Sequence, residues 1–593
     1  MKHRAPLFVF AFALLALPVK TMAAPAYEPV AYDRSDRTIT LTGRDLTIDQ
    51  VLDIAEHGAK VVLSREARQR SADAYGLLLQ AAAEGVSVYW FNRGAGDQRE
   101  TVIFSGDPTT PENTALLKAR QVEMFKLGAM ISYGPEIADE SLVRAMMAIR
   151  VNTMSYEAAS PALTQALIDL LNHRITPVVS SRGTLGEGDL GQLGDIGAAL
   201  IGQGEVYYGG VRMPAADALR KAGLRPLEPF AADDSALTST NAYALANSVL
   251  LVDDATKLLD WADLATAMAL LGMNSSVTPL AQPVQAHRPF PWLNWDAARV
   301  LDMLRGSYLF SADDKRIIQD PESLRASTQR SGAAWQALAE LRRSVLIGIN
   351  SSDHNPAVRV GVKPTDSWEL STPQMMKYYV KGGTLSHGKS GYVFSNANWD
   401  PYPLANQVES FTLSLANLGI AVNQRIERFS NPFFTGIKPT DVLSAEQAQA
   451  MPWAGGYLHA DLWIELSGLI NPVIPQGQAL IGTVEDLQSE TRIKLERSRK
   501  AVDVMRHLLA QDVITSTNWI EIRKAQDSGR VFGAPAQAAL SDLRRILPFR
   551  MVAGNGGKVA GQAVAEYLRT TPASRFYTSG PPMPLAPTGS SAP

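Results

Sequence analysis

Gly183–Gly210 reads GTLGEGDLGQLGDIGAALIGQGEVYYGG, and the reading of the whole chain starts from it. Gly183, Gly186 and Gly188 punctuate a loop, and the small and apolar residues after them read as a helix. Asp189 stands near the start of that helix, where a carboxylate can accept orphan backbone N–H groups. Glycine spacing alone also describes ordinary tight turns, so the loop by itself assigns no chemistry.

Outward from this loop the pattern stays helical. A short β-like piece covers Thr38–Leu41, while Leu46–Glu56 and Ser64–Glu84 carry apolar residues at helical spacing. Glu112 to Leu171 reads as successive helices, Ala236–Val252 is strongly helical, and Ser489–Leu509 makes a long charged helix. The expectation is a mainly α protein.

The 593 residues are 46% hydrophobic and 19% charged with net charge −3, an ordinary globular composition that advertises neither nucleic acid nor an anionic membrane as partner. With no cysteine there is no disulfide, thiolate metal site or cysteine nucleophile. No metal-ligand cluster, phosphate loop or serine hydrolase motif stands out either. Lys2, His3 and Arg4 precede the apolar run Leu7–Val19, and small residues follow at Thr21–Ala26, the order of a secretory signal peptide. Cleavage after Ala23 suits the small-residue rule, with Ala26 as a second option. The run is shorter than the roughly 20 residues of a spanning helix, so the expected location is periplasmic or secreted, with no membrane once the signal is removed. The ending SGPPMPLAPTGSSAP reads as a disordered tail. The expected division is therefore signal 1–23, N-terminal part 24–235, central helical bundle 236–530, C-terminal helices 531–578 and tail 579–593.

The longer pattern around the organising loop is more specific. It resembles the loop of the histidine/phenylalanine ammonia-lyase family, Gly-Ser-Val-Gly-Ala-Ser-Gly-Asp-Leu, followed by a helix ending Leu-Ile-Gly-x-Gly-Glu. In that family Ala-Ser-Gly cyclises and dehydrates into an electrophilic methylidene-imidazolone (MIO). Here Gly183-Thr-Leu-Gly186 and Gly188-Asp-Leu190 match, but Glu187 stands between them and the loop is one residue shorter. A glutamate has no hydroxyl to lose, so the resemblance is to a member without the prosthetic group, and no cofactor is expected. The resemblance runs over about residues 30–530 in the family's order. It implies a long central helical bundle with a small loop-rich N-terminal part, and a homotetramer whose sites take residues from three subunits.

Residue by residue, Val86–Gly96, VSVYWFNRGAG, is similar to the family's mobile loop Val-Tyr-Gly-x-Asn-Thr-Gly-Phe-Gly. That implies Tyr89 as the catalytic tyrosine and Asn92 as its asparagine, with Trp90 in place of glycine and Arg93 in place of threonine. A phenol is a poor base at its ordinary pKa near 10, and Arg93 is a candidate for lowering it. Tyr133 stands where the histidine enzymes place a histidine that contacts substrate imidazole. Arg150-Val-Asn-Thr resembles a structural Arg-Ala-Asn-Thr. The family's Asn-Gly, whose asparagine touches electrophile and substrate, has an ambiguous counterpart in Leu237-Thr-Ser-Thr-Asn241, with Asn241 as candidate.

Ile318-Gln-Asp-Pro-Glu-Ser-Leu-Arg325 parallels Val-Gln-Asp-Pro-Tyr-Ser-Leu-Arg. The match implies Arg325 as carboxylate clamp, a planar contact that guanidinium suits, with Gln319 and Glu322 beside it and Glu322 replacing a tyrosine. Asn350-Ser-Ser-Asp-His-Asn355-Pro resembles a loop that borders the same site, giving Asn355; His354 reads more readily as a hydrogen-bonded loop residue than as catalytic. Ala397-Asn-Trp-Asp400 stands against Gly-Asn-Phe-His, so Asn398 matches and Asp400 replaces histidine. Asn423-Gln-Arg-Ile-Glu-Arg-Phe-Ser-Asn-Pro follows a packing motif. In Thr483-Val-Glu485-Asp486, Glu485 matches the active-site glutamate and Asp486 reads as structural.

The substitutions share a sign: Glu187, Glu322 and Asp400 add carboxylates, and Trp90 and Trp399 add indoles. Both features suit a quaternary ammonium, which has no proton to lose and leaves as a neutral amine. Among relatives of this kind, ergothionase-type lyases eliminate trimethylamine from a betaine of thiolated histidine. The expectation is such a carbon–nitrogen lyase, acting on an amino acid or betaine, with Tyr89, Glu485 and Glu187 catalytic. Two rivals remain: another electrophile-free reaction (cyclisation or a different β-elimination), told apart by its products, and an exported betaine-binding protein, told apart by binding without turnover.

Overall fold

The computed structural model describes residues 27–451, 456–473, 477–548 and 556–584, so the expected signal peptide and residues 585–593 of the expected tail lie outside the described residues. The fold is organised around a 32-residue helix, Ala242–Met273, buried along nearly its whole length. A helix apolar on every face must lie inside other helices. Here they are Glu140–Thr153, Ser327–Gly348 and the 36-residue Thr491–Gln526, with Tyr402–Arg428 packed on the last two. The protein is mainly α, as its sequence pattern implies.

The sequence pattern placed the start of this helix at Ala236. The structure instead ends a short helix, Asp233–Thr238, and begins the long one at Ala242. Thr240 and Asn241 in the break turn to Asp353, whose carboxylate accepts from Thr240 Oγ1 at 2.5 Å and Asn241 N at 2.9 Å. At the far end Asn274, φ +64, closes the helix in the left-handed conformation.

Two buried arginines of the bundle are paired with carboxylates. Arg425 and Asp512 are fully enclosed; Arg425 Nε lies 3.0 Å from Asp512 Oδ1, and Arg425 Nη1 donates to Thr266 Oγ1 at 2.8 Å, tying three helices. Arg150, also enclosed, meets Asp353 Oδ1 at 2.9 Å and the carbonyl of Leu237 at 3.1 Å. Asn152 Nδ2 donates to the carbonyl of Ile349 at 2.7 Å. The Arg150–Thr153 stretch therefore does the structural work its motif implies.

Small sheets decorate the N-terminal part and the 357–394 region. Thr38–Leu41 pairs in parallel with Lys60–Leu63, and Tyr133–Glu136 pairs antiparallel with Ser180–Arg182, just ahead of the glycine loop. Ala534–Ile546 and Gly556–Thr570 follow the bundle. The beginning of the expected tail is held: the carbonyl of Pro581 accepts from Trp295 Nε1 at 2.9 Å. No helix among the described residues is long and apolar enough to cross a membrane.

Candidate active site

Three loops meet at the beginning of the central helix. The first is the glycine loop, in which Gly183, Gly186 and Gly188 have φ of +115°, +93° and +95°. The Thr184 hydroxyl accepts from Gly186 N at 3.1 Å and closes the turn. A side chain at Gly186 would be intolerable, because its Cβ would stand 1.8 Å from Ser489 Oγ. Leu185 O accepts from Glu490 N at 2.7 Å, so the glycine loop is fastened to the segment that carries Glu485.

Asp189 departs from expectation. It caps not its own helix, Leu190–Leu200, but the central one: Oδ2 accepts from Ala244 N at 3.0 Å, and its own N–H donates to Thr240 O at 2.7 Å. Burial pushes its carboxyl up to about 7 against these donors. The glycine loop and the long helix are thereby locked together.

Glu187 projects from the loop toward Glu485. Burial first, then the Glu485 carboxyl, push Glu187 up to about 7, and Asp400 and Asp486 act in the same direction. Glu485 is also raised, mainly by burial, while its contact with Glu187 holds it down. Of the pair, Glu187 is the carboxyl that its partner pushes up. The charges acting most strongly on Glu187 are thus all carboxylates. Asp486, read from sequence as structural, belongs to this group. Asp400 also accepts from Tyr402 N at 2.9 Å, capping its helix.

Tyr89 faces the same cluster from the third loop. Its turn is tightly made: Asn92 Oδ1 accepts from Val88 N at 2.7 Å, Asn92 Nδ2 donates to Val86 O at 2.8 Å, and buried Phe91 packs edge-on against Phe104. The phenol oxygen accepts from Gly96 N at 3.1 Å. Burial raises the phenol pKa most; the Gly96 N–H and Arg99 lower it, and Glu485 raises it. Arg93, proposed from sequence as the activating cation, donates instead to Ser87 Oγ at 2.8 Å, and Arg99 takes its place. The tyrosine and glutamate loops interlock, since a Cβ at Gly96 would meet Ile481 Cγ2 at 2.4 Å.

A cavity of about 190 Å³ opens beside this cluster, lined by Asn241, Asp353, Asn398 and Asp400 among others. Asn241 is 6% exposed, and its Oδ1 has no hydrogen-bond partner. Asn355 borders the region and accepts from Asn396 N at 3.2 Å. His354 is buried and faces Ser239 O at 3.3 Å; burial drives its pKa down to about 3, so it is a neutral structural residue. Tyr133 lies exposed on its strand beside Arg182, next to the glycine loop.

Arg325, Glu322 and Gln319 are elsewhere. Asp320, in the same motif, accepts from Ser276 N at 2.8 Å just past the end of the central helix. That helix has 32 residues and is therefore about 48 Å long. The acidic cluster sits at one end and Arg325 at the other. There Arg325 Nη2 lies 3.2 Å from Glu322 Oε1, Arg325 Nε has no hydrogen-bond partner, and Gln319 is exposed. Sequence reading missed Asp353 as the anchor of Asn241, although it lies within a motif already singled out. It also missed Arg99, which carries no signal beyond lying three residues after Gly96.

The family profile for aromatic amino acid lyases matches residues 46–545, and the chain belongs to that family of carbon–nitrogen lyases. It is 26% identical over 503 residues to a histidine ammonia-lyase of Treponema denticola, covering 84% of this chain and 91% of that one. Its fold matches the ergothioneine-degrading ergothionase of Treponema denticola, solved with desmethyl-ergothioneine sulfonic acid, with TM-score 0.76 and 24% identity over 90% of this chain and 98% of that one. It also matches the phenylalanine aminomutase of Pantoea agglomerans, with TM-score 0.75 and 19% identity over 91% and 99% of the two chains.

Proposed function

We propose that this protein is an exported lyase that eliminates an amine, trimethylamine in the leading case, from a betaine of a histidine-like or aromatic amino acid, without an MIO group. The observation that carries the reading is the carboxyl cluster of Glu187, Glu485 and Asp400 facing Tyr89, at the place where the family loop would supply its electrophile. No serine lies between Gly183 and Leu190, so the residues present do not fit the self-cyclised group. The likeness to ergothionase agrees with it.

A quaternary ammonium beside Glu187 and Glu485 neutralises like charges that otherwise oppose one another and favours the ionised form of both. The same fixed positive charge lowers the Tyr89 phenol, which burial and Glu485 otherwise hold above its ordinary value. Tyr89 then removes the β-proton, the C–H electrons form the Cα–Cβ double bond, and the C–N bond breaks with its pair on nitrogen. The products are an α,β-unsaturated carboxylate and a neutral amine. Arg325 would clamp the carboxylate from another copy of the chain, because its own cluster stands at the far end of the central helix. A homotetramer with shared sites supplies that geometry.

One observation favours a binding protein instead: a phenol held above its ordinary pKa is a weak base at rest. Turnover decides between the two. The purified mature protein is incubated with aromatic betaines, that of thiolated histidine included, and with the free amino acids. A new conjugated ultraviolet absorbance with released trimethylamine, from betaines only, is expected. Turnover of free amino acids would overturn the reading, and binding without products would establish the binder.

A further inference from the structure

We propose that Trp90 is the positioning residue of Tyr89: its indole braces the edge of the phenol and holds the tyrosine turn in shape. The proposal rests on the reading of Tyr89 as the base. Four observations carry it. Trp90 has φ +58, in the left-handed region, where a side chain is strained and glycine is at ease. A tryptophan there is retained only if its side chain makes contacts that outweigh the backbone cost.

Those contacts are present. The Trp90 and Tyr89 rings meet edge to face, 6.0 Å between centroids at 76°, a favoured aromatic geometry. The main-chain N–H of Trp90 donates to Gly94 O at 3.2 Å and closes the turn. The indole N–H is shielded from solvent and has no well-aligned acceptor, and its polar neighbour is the carboxyl of Asp234.

Asp234 is 3% exposed and belongs to Asp233–Thr238, which packs on Leu190–Leu200, the helix behind the Glu187 loop. Its N–H donates to Gln121 Oε1 at 2.8 Å on a third helix, Pro111–Gly128. The indole thus lies between the Tyr89 phenol and this framework. On this reading Trp90 acts through Tyr89.

The test compares full-length mature Trp90→Gly, Trp90→Phe and Asp234→Asn with wild type, using trypsin cleavage after Arg93 and Arg99 and the kcat and KM of betaine turnover. Trp90→Gly suits the left-handed backbone and is expected to keep Tm and oligomeric state. Its turn should be cut about tenfold faster, and kcat should fall by about tenfold or more with KM within about threefold. Trp90→Phe, which keeps the ring edge, should restore most of kcat, and Asp234→Asn should stay close to wild type. Wild-type protease resistance in Trp90→Gly overturns the proposal, as does a loss confined to KM. If Trp90→Gly fails to assemble, Trp90→Leu carries the same test with the same two outcomes. Should Tyr89→Phe be fully active, the reading of the base fails, while the protease result still decides whether Trp90 holds the turn.

Discussion

The two ends of the central helix differ in what they gather. At its start Glu187, Glu485, Asp400 and Asp486 crowd together; beyond its end Arg316 and Arg325 stand beside the carboxylates Asp320 and Glu322. A substrate with both a carboxylate and a fixed cation needs both ends, and about 48 Å of helix keeps them apart in one chain. On the proposed reading, the carboxyl cluster and Arg325 are two halves of one site. Copies running antiparallel would bring a start against an end, and the carboxyl cluster then marks where the cation goes.

The largest expected effect comes from removing the base. Tyr89→Phe should lower kcat by about 10²- to 10⁴-fold while gel filtration shows the assembly unchanged. Arg325→Met, at the other end, should reduce kcat/KM by about 100-fold, mostly through KM, by removing a charge-assisted contact to the carboxylate. Steady-state kinetics on a betaine checks both.

The acidic end has its own pH signature. Glu187 keeps its proton up to about 7, so affinity for a cationic substrate should rise as pH rises through 7, and Glu187→Gln should flatten that profile. Stability runs the other way. Unfolded, this carboxyl ionises near its ordinary value of about 4.3, so between there and about 7 the unfolded chain binds fewer protons, and stability falls as pH rises. Thermal unfolding of Glu187→Gln should show a gain over wild type above pH 6 that vanishes near pH 4.

Smaller effects separate scaffold from site. Gly186→Ala forces a Cβ onto Ser489 at a positive φ and should cost about 1–3 kcal/mol in denaturant unfolding. His354→Asn should leave the pH profile of turnover unmoved, because that imidazole is neutral across the working range.

Much of the acidic end was legible in the sequence. Glycine spacing, the tyrosine turn and the Glu485 motif are local patterns, and local patterns survive without a structure. What was illegible depends on which group reaches which. Arg93 and Arg99 are equally charged, and only the turn decides that Arg93 reaches Ser87 while Arg99 acts on Tyr89. Asp189 looks like the cap of the helix it precedes, yet its carboxylate serves Ala244, 55 residues away. Trp90 reads as an added indole, and only its backbone angle shows the strain under which it is held. Motif order carries no distance, so the separation of Arg325 from Tyr89 has no local signal; only the family resemblance, with sites shared among subunits, implies it.

One mixing experiment asks directly whether the two ends complete each other across copies. Tyr89→Phe and Arg325→Met chains, each inactive alone, are unfolded, mixed and refolded together, and mixed oligomers are verified by native mass spectrometry. If the two half-sites complete each other across copies, some sites pair an intact Tyr89 with an intact Arg325 from another chain, and a sizeable fraction of betaine turnover returns. Verified mixed oligomers as inactive as their parents would contradict the account.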